Sequence, residues 1–201
     1  MLSQKDLYGN VYVLGSVFRN LQSDIILAKY DSDGNALWSE EIDHHGKDDK
    51  GIYLTLRDGH NPIISAAVTD SSGDFDIFIQ EFDTSGGSNW IWLKDGGLGL
   101  DDVPASLVLD NQGFIYLCGY TEHPSRKHDA YLAKRSTSGT LSWETHFDDN
   151  NSEEAGLIIE LDGAELFVLG GNPTTQLDTS ILVIAFDTSG TYVDDFRDDL
   201  L

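Results

Sequence analysis

Short apolar runs alternate with short polar turns along the whole chain, and no long run of either kind interrupts them. Val11-Tyr12-Val13-Leu14, Ile25-Ile26-Leu27-Ala28, Ile63-Ile64-Ser65-Ala66, Ile77-Phe78-Ile79 and Phe114-Ile115-Tyr116-Leu117 are rich in β-branched and aromatic residues. Their flanks are Gly, Asn, Asp and Ser, so the pattern predicts strands joined by tight turns. The third quarter of the chain shows it most plainly, predicting strands at Ser106–Asp110, Phe114–Tyr120, Asp129–Arg135 and Leu141–Phe147. Connections such as Asp110-Asn111-Gln112-Gly113 and Ser136-Thr137-Ser138-Gly139 are of hairpin size. They carry side chains that satisfy turn backbone and a Gly for positive φ.

The strands recur in register. Asp31-Ser32-Asp33-Gly34, Asp83-Thr84-Ser85-Gly86, Ser136-Thr137-Ser138-Gly139 and Asp187-Thr188-Ser189-Gly190 each follow an apolar strand, and the four glycines are spaced by 52, 53 and 51 residues. Trp38, Trp90 and Trp143 stand four residues after the first three glycines, and Asp194 takes that place in the last copy. A second marker keeps the same phase. Gly9-Asn10-Val11-Tyr12-Val13-Leu14-Gly15 matches Gly113-Phe114-Ile115-Tyr116-Leu117-Cys118-Gly119, with Gly163 to Gly170 and Gly59 to Ala66 as looser versions. Four antiparallel strands per period is the arithmetic of a propeller blade. The chain is therefore expected to be all-β and one β-propeller domain, residues 1–201, with blades at about 1–47, 48–100, 101–152 and 153–201. Because one blade cannot bury both faces, the copies must stack. A four-bladed ring, half of a larger ring shared by two chains, and a segment of a longer protein all fit. Trp38, Trp90 and Trp143, at one phase on the outermost strands, are expected to pack on adjacent blades.

These residues resemble the SBBP family of bacterial β-propeller repeats. Asp6-Leu7-Tyr8-Gly9-Asn10-Val11-Tyr12-Val13-Leu14-Gly15 and Asp31-Ser32-Asp33-Gly34-Asn35-Ala36-Leu37-Trp38 carry the resemblance most fully. It implies a propeller in a secreted or cell-surface protein and brings no catalytic residues. The Asp-x-x-Gly-x-x-x-Trp part is also similar to the tryptophan-docking motif of pyrroloquinoline-quinone propellers, a packing device that does not imply the cofactor. The sialidase Asp-box fails on its Gly-to-Trp spacing.

Charge narrows the partners. Against 12 Lys and Arg stand 35 acids, 26 of them Asp and 9 Glu, for a formal charge of −23. Phosphate backbones and anionic membrane surfaces are disfavoured as partners by that sign. The preference for Asp over Glu, with 20 Gly, marks turns rather than helices. At 40% hydrophobic residues the chain is folded, not an acidic tail. Cys118 is the one cysteine and lies in an apolar run, so it is expected to be a buried thiol. No apolar run spans a membrane, and the first residues do not form a signal peptide.

Candidate chemistry lies in the loops. Asp48-Asp49, Asp101-Asp102 and Glu153-Glu154 recur at one phase where each innermost strand begins, and if they converge they offer oxygen ligands to Ca2+. No other cofactor is expected. The loops Phe18–Ser23, Thr69–Asp74, Glu122–His128 and Asn172–Leu177, with Arg19, Asn20, Asp70, Asp74, His123, Arg126, Lys127, His128 and Asn172, differ between copies while the framework does not, as a binding face would. His44-His45 reads as two imidazoles pointing to opposite faces of a strand, unable to share a metal. With no contiguous catalytic motif, the leading expectation is a non-enzymatic binding or scaffolding propeller with a protein or carbohydrate ligand, in a homodimer or larger assembly that completes the ring. The alternative is a carbohydrate-active or cofactor-dependent propeller enzyme using acids at the axial mouth.

Overall fold

The computed structural model describes residues 1–95, 99–124, 126–148, 155–171 and 180–199, and every regular element among them is a strand. The first sheet contains β1 (Leu2–Lys5), β2 (Val11–Arg19), β3 (Gln22–Tyr30) and β4 (Ala36–Ile42). The second contains β5 (Lys50–Arg57), β6 (Asn61–Thr69), β7 (Phe75–Phe82) and β8 (Ser88–Lys94). In the third are β9 (Asp102–Leu109), β10 (Ile115–His123), β11 (Arg126–Arg135) and β12 (Leu141–Phe147). β13 (Ala155–Asp162), β14 (Glu165–Gly171), β15 (Ser180–Asp187) and β16 (Tyr192–Asp199) form the fourth. Each sheet is an antiparallel meander in chain order, so the fold is an all-β propeller of four-stranded blades.

The strands of the third sheet outrun the apolar pattern. β9 starts at Asp102 instead of Ser106, and Glu122–His128, expected as a loop, is a hairpin tip with Glu122 paired to His128 and His123 to Arg126. Ladder hydrogen bonds use backbone groups alone, so pairing continues through polar residues once the register is set. A bulge between Cys118 and Gly119 sets that register. A Cβ at Gly119 would lie 2.1 Å from the Val103 carbonyl oxygen, which is why only glycine fits there.

Two compact units divide the chain, Met1–Gly99 and Leu100–Leu201. In the first, Tyr12, Leu14, Ile25 and Leu27 of the first sheet form one core with Leu54, Ile64, Ala66, Val68, Phe78 and Phe82 of the second. In the second unit, Tyr116, Cys118, Ala130 and Leu132 meet Ile159, Leu166, Val168, Leu182, Ile184 and Phe186. Fully burying one such side chain contributes about 1.5–3 kcal/mol. Period-2 alternation aims them: the residues of β2 that face the second sheet are the alternate ones, Tyr12 and Leu14.

Each core is locked at its outer edge by a clasp. Trp38 Nε1 and Lys29 Nζ donate to the carbonyl of Thr84 at 3.0 and 3.1 Å, and the indole lies against Gly86. In the second unit Trp143 Nε1 and Lys134 Nζ donate to the carbonyl of Thr188 at 3.2 and 3.4 Å, with the indole against Gly190. The glycines serve twice, since their φ of +87 to +94° suits the hairpin and their missing Cβ admits the ring. Trp90 differs from the other two: its Nε1 donates to Glu81 Oε2 in its own sheet, 3.0 Å away.

The Asp surplus is turn chemistry at these same hairpins. Oδ1 of Asp31 accepts the backbone N–H groups of Asp33 and Asn35, two and four residues on. The same two-bond pattern recurs for Asp6, Asp83, Asp110 and Asp187, and Ser136 performs it with a hydroxyl. The Asn35 amide, then backbone donors, hold Asp31 below the usual carboxylate range; Ser85 does so first for Asp83 and Ser189 for Asp187.

Candidate functional site

The first unit carries an open pocket of about 510 Å3 between three connections. The β2–β3 hairpin supplies Asn20, Leu21 and Gln22, the β4–β5 connection Gly46, Lys47 and Asp48, and the β6–β7 connection Thr69, Gly73 and Phe75. Asn20 and Leu21 both have positive φ, 51 and 71°, and so does His45 at 59°. Such backbone is costly for residues with a Cβ, and three of the four such positions among the described residues lie in the pocket's connections. Leu21 is 91% exposed at the rim, where an apolar side chain is held outward by that turn.

The connections are stitched together from below by the acidic pair Asp48-Asp49. Asp48 Oδ1 accepts the Ser23 N–H at 2.7 Å, and the Asp49 N–H donates to the Ser23 carbonyl. Asp49 is fully buried, its Oδ2 accepting the His44 N–H at 2.7 Å and its Oδ1 the Thr69 N–H at 2.9 Å. The Thr69 hydroxyl donates in turn to the Asp48 carbonyl. Lys47 crosses the pocket wall to the carbonyls of Asp70 and Ser71, at 2.7 and 2.9 Å. Burial, partly offset by the two N–H donors and reinforced by the charges of Asp43 and Asp24, pushes Asp49 up to about 6. Burial, then the neighbouring His45, lowers His44, which favours the neutral form of its imidazole.

The acidic pairs expected to meet at one point do not act alike. Asp49 lies with Asp24 and Asp43, their carboxylate oxygens within 4.8 Å of one another, whereas Asp48 turns away to Ser23. Asp101 exchanges backbone and side-chain hydrogen bonds with Glu122, while Asp102 is buried. Glu153, Glu154 and Asn172 lie outside the described residues, and of Arg126 and Lys127 only the backbone, in β11, is described. Arg19 pairs with Glu41 at 2.8 Å on the surface, a contact of little energetic weight. Asp70 caps its own turn through Ser72 and Gly73, with Asp74 closing it, and His128 packs edge-on to Tyr120. His44 and His45 sit in the β4–β5 connection and not on a strand, so strand alternation does not separate them: their rings meet edge to face at 4.3 Å.

Sequence reasoning placed Leu21, Gln22 and Thr69 in the binding-face loops and missed Lys47 and Phe75; the chain scatters these five over 55 positions and only hairpin pairing gathers them. It also missed Asp24. A signal for that residue exists: Asp24, Asp76 and Asp129 stand ten residues before Gly34, Gly86 and Gly139, and all three are buried, at 3, 1 and 7% exposure.

No protein-family model matches the chain. Regulatory protein FlaEY of Caulobacter vibrioides is 27% identical over 143 residues, which cover 59% of this chain and 14% of that protein. Among solved structures, an ulvan lyase of a new polysaccharide lyase family, determined with -[GlcA(1-4)Rha3S]- bound, superposes with a TM-score of 0.65 at 13% identity. The match covers 98% of this chain and 56% of that one. The polysaccharide lyase Uly1 gives a TM-score of 0.55 at 10% identity, covering 97% and 48%. The chain thus spans about half the length of these lyases and shares their fold. These likenesses overturn the expectation of a non-enzymatic binding or scaffolding module: both of these solved chains are polysaccharide lyases, and at 10–13% identity what this chain shares with them is the fold. The non-enzymatic reading rests on the absence of a contiguous catalytic motif. On a repeat scaffold that absence carries no weight, because the site is assembled from hairpins of different blades.

Proposed function

We propose that this chain is a blade module of a carbohydrate-active propeller and that it takes a polysaccharide segment into the pocket of the first unit. The observation that carries the reading is the make-up of that pocket, whose lining combines the polar residues Asn20, Gln22, Lys47 and Thr69 with the apolar Leu21 and Phe75. Sugars need this combination of hydrogen-bonding groups with an apolar platform. The fold shared with polysaccharide lyases supports a uronate-containing polymer as substrate class and β-elimination as reaction type. In that reaction Lys47 is the countercharge to the uronate carboxylate. His44 is set in the same connection without lining the pocket, and burial, then His45, shifts it toward the neutral imidazole, which makes it the candidate base for the proton next to that carboxylate.

The test is incubation with a panel of uronate polysaccharides, followed by the ultraviolet absorbance of the unsaturated product. Lys47→Ala is expected to weaken binding at least tenfold, and His44→Ala to abolish product while sparing binding. Absence of both binding and cleavage across acidic and neutral glycans would sink the reading. At a net charge of −23 the protein repels a polyanion at long range, so the association rate is expected to rise, not fall, as salt is added from low ionic strength.

A further inference from the structure

The two clasps define what covers a blade face in this protein, and the first sheet presents that same face only partly covered. In the second and fourth sheets the face that receives a tryptophan is closed: Phe82 and Phe186 are 2 and 3% exposed, and Phe78 and Leu182 are 5 and 4%. At the same phase the first sheet has Tyr30 and Ile26, both only half-buried. A Cβ built on Gly86 or Gly190 meets the indole of Trp38 or Trp143, but one built on Gly34 meets nothing within 4 Å. Gly34 has a φ of +86°, close to the +94 and +87° of Gly86 and Gly190, and the same Asx-capped hairpin as these two filled sockets. Its turn is therefore built for the role.

The chain's own fourth sheet does not carry the matching groups. The positions of Lys29 and Lys134, five residues before the hairpin glycine, are held there by Ala185, and the tryptophan position by Asp194. Neither an ammonium nor an indole N–H is available from it for the Ser32 carbonyl, the counterpart of Thr84 and Thr188. An aspartate at that point instead brings a carboxylate, which has no N–H to donate and repels a carbonyl oxygen.

We propose that the Gly34 face of the first sheet is a docking socket for a donor blade from outside this chain, one that brings an indole and a lysine ammonium at the two clasp positions. A second copy of this chain, offering its fourth sheet, is not that partner. The indole lies on Gly34, its N–H and the ammonium share the Ser32 carbonyl, and the apolar face of Ile26 and Tyr30 is closed as Phe78 and Phe82 are closed by Trp38.

The probe is the chain itself with the donors installed, Ala185→Lys plus Asp194→Trp, studied by light scattering and thermal unfolding. The wild type is expected to stay monomeric. The double variant is expected either to assemble, with at least a twofold and concentration-dependent rise in mass, or to gain several degrees in Tm at unchanged mass. Adding Gly34→Val must abolish whichever gain is seen, because a branched side chain fills the socket. Asp194→Trp alone serves as a second, less invasive probe with the same expectation in smaller measure. A double variant with wild-type mass and Tm overturns the proposal. So does a gain that survives Gly34→Val, and so does a wild-type protein that already associates and loses that association on Gly34→Val.

Discussion

The two units use the same clasp and differ in what lies behind it. Lys29 rides over the Tyr12 ring at 4.8 Å and Lys134 over the Tyr116 ring at 4.9 Å, and each then reaches a threonine carbonyl beside an indole. Behind this shared front the first unit sets Leu14 against Gly51, and the second sets Cys118 against Gly156. In the first unit Lys29 also stands 3.7 Å from Asp6, and the Tyr12 hydroxyl is buried without a hydrogen-bond partner; in the second the Tyr116 hydroxyl donates to Asp110 at 3.2 Å. What repeats is thus the blade-to-blade lock. What varies is the polar bonding behind it and the hairpins that could meet a ligand, which is where function should be sought.

Removing the lock should have the largest effect, and the same one in both units. Trp38→Ala and Trp143→Ala are each expected to cost about 3 kcal/mol, the loss of an interlocked aromatic plus its hydrogen bond. Cys118 supplies the readout for the second unit. It is the single cysteine and fully buried, and burial pushes its thiol up to about 12, so it should be silent to thiol reagents until the unit opens. Trp143→Ala should speed its labelling at least tenfold. Labelling that rises as much in Trp38→Ala would mean that the two units open as one body and not separately.

The repeat was legible because its markers are local. Glycines needing positive φ, tryptophans four residues on and Asx caps all act within a few residues of one hairpin, so the spacing of 52, 53 and 51 positions carries the blade architecture directly. The pocket was not legible. Asn20, Asp48 and Thr69 stood out as loop residues, but Lys47 reads as a charge beside two acids; only the bonding of Thr69 to Asp48 and of Lys47 to the Asp70 carbonyl makes them walls. The alternation of lock donors and acceptors was half visible, in Asp194 standing where a tryptophan was due. That Lys29 and Lys134 share the lock could not be read from composition, since lysine on a strand is ordinarily a solvated residue.

Asp49 separates the units by pH. Its folded carboxyl is raised from 3.8 to about 6, first by burial and then, against the His44 and Thr69 donors, by Asp43 and Asp24. The folded state therefore binds the proton more tightly than the unfolded chain. Its stabilising contribution is complete below pH 3.8 and is lost as pH rises through about 6. Wild type is expected to gain on the order of 2 kcal/mol relative to Asp49→Asn between pH 7 and pH 4. Denaturant unfolding of both proteins at the two pH values measures it, and a gap independent of pH would show that Asp49 is not the proton site.

The hairpin glycines should rank the two locks. A Cβ at Gly190 would come within 2.7 Å of the Trp143 ring, against 3.2 Å from Trp38 for Gly86, and both positions have φ that an alanine tolerates poorly. Gly190→Ala is expected to cost about 2 kcal/mol and Gly86→Ala about 1 kcal/mol. Thermal unfolding that reversed this order would mean that the first lock is the tighter one.

The two tyrosine hydroxyls make the finest test, because the rings, the burial and the lysine above them are alike. Tyr116→Phe removes a donor from the Asp110 carboxylate, and burial followed by that carboxylate already pushes the phenol up to about 12, so the proton stays on the oxygen at every ordinary pH. Losing the bond should cost about 1 kcal/mol. Tyr12→Phe deletes a buried hydroxyl that has no hydrogen-bond partner, so it relieves a desolvation penalty instead of breaking a bond. That change is expected to be neutral or to stabilise by up to about 1 kcal/mol. Chemical denaturation of the pair decides it: equal losses would mean that the Tyr12 hydroxyl has found a partner in solution, and that the units are more alike behind the lock than their hydrogen bonds suggest.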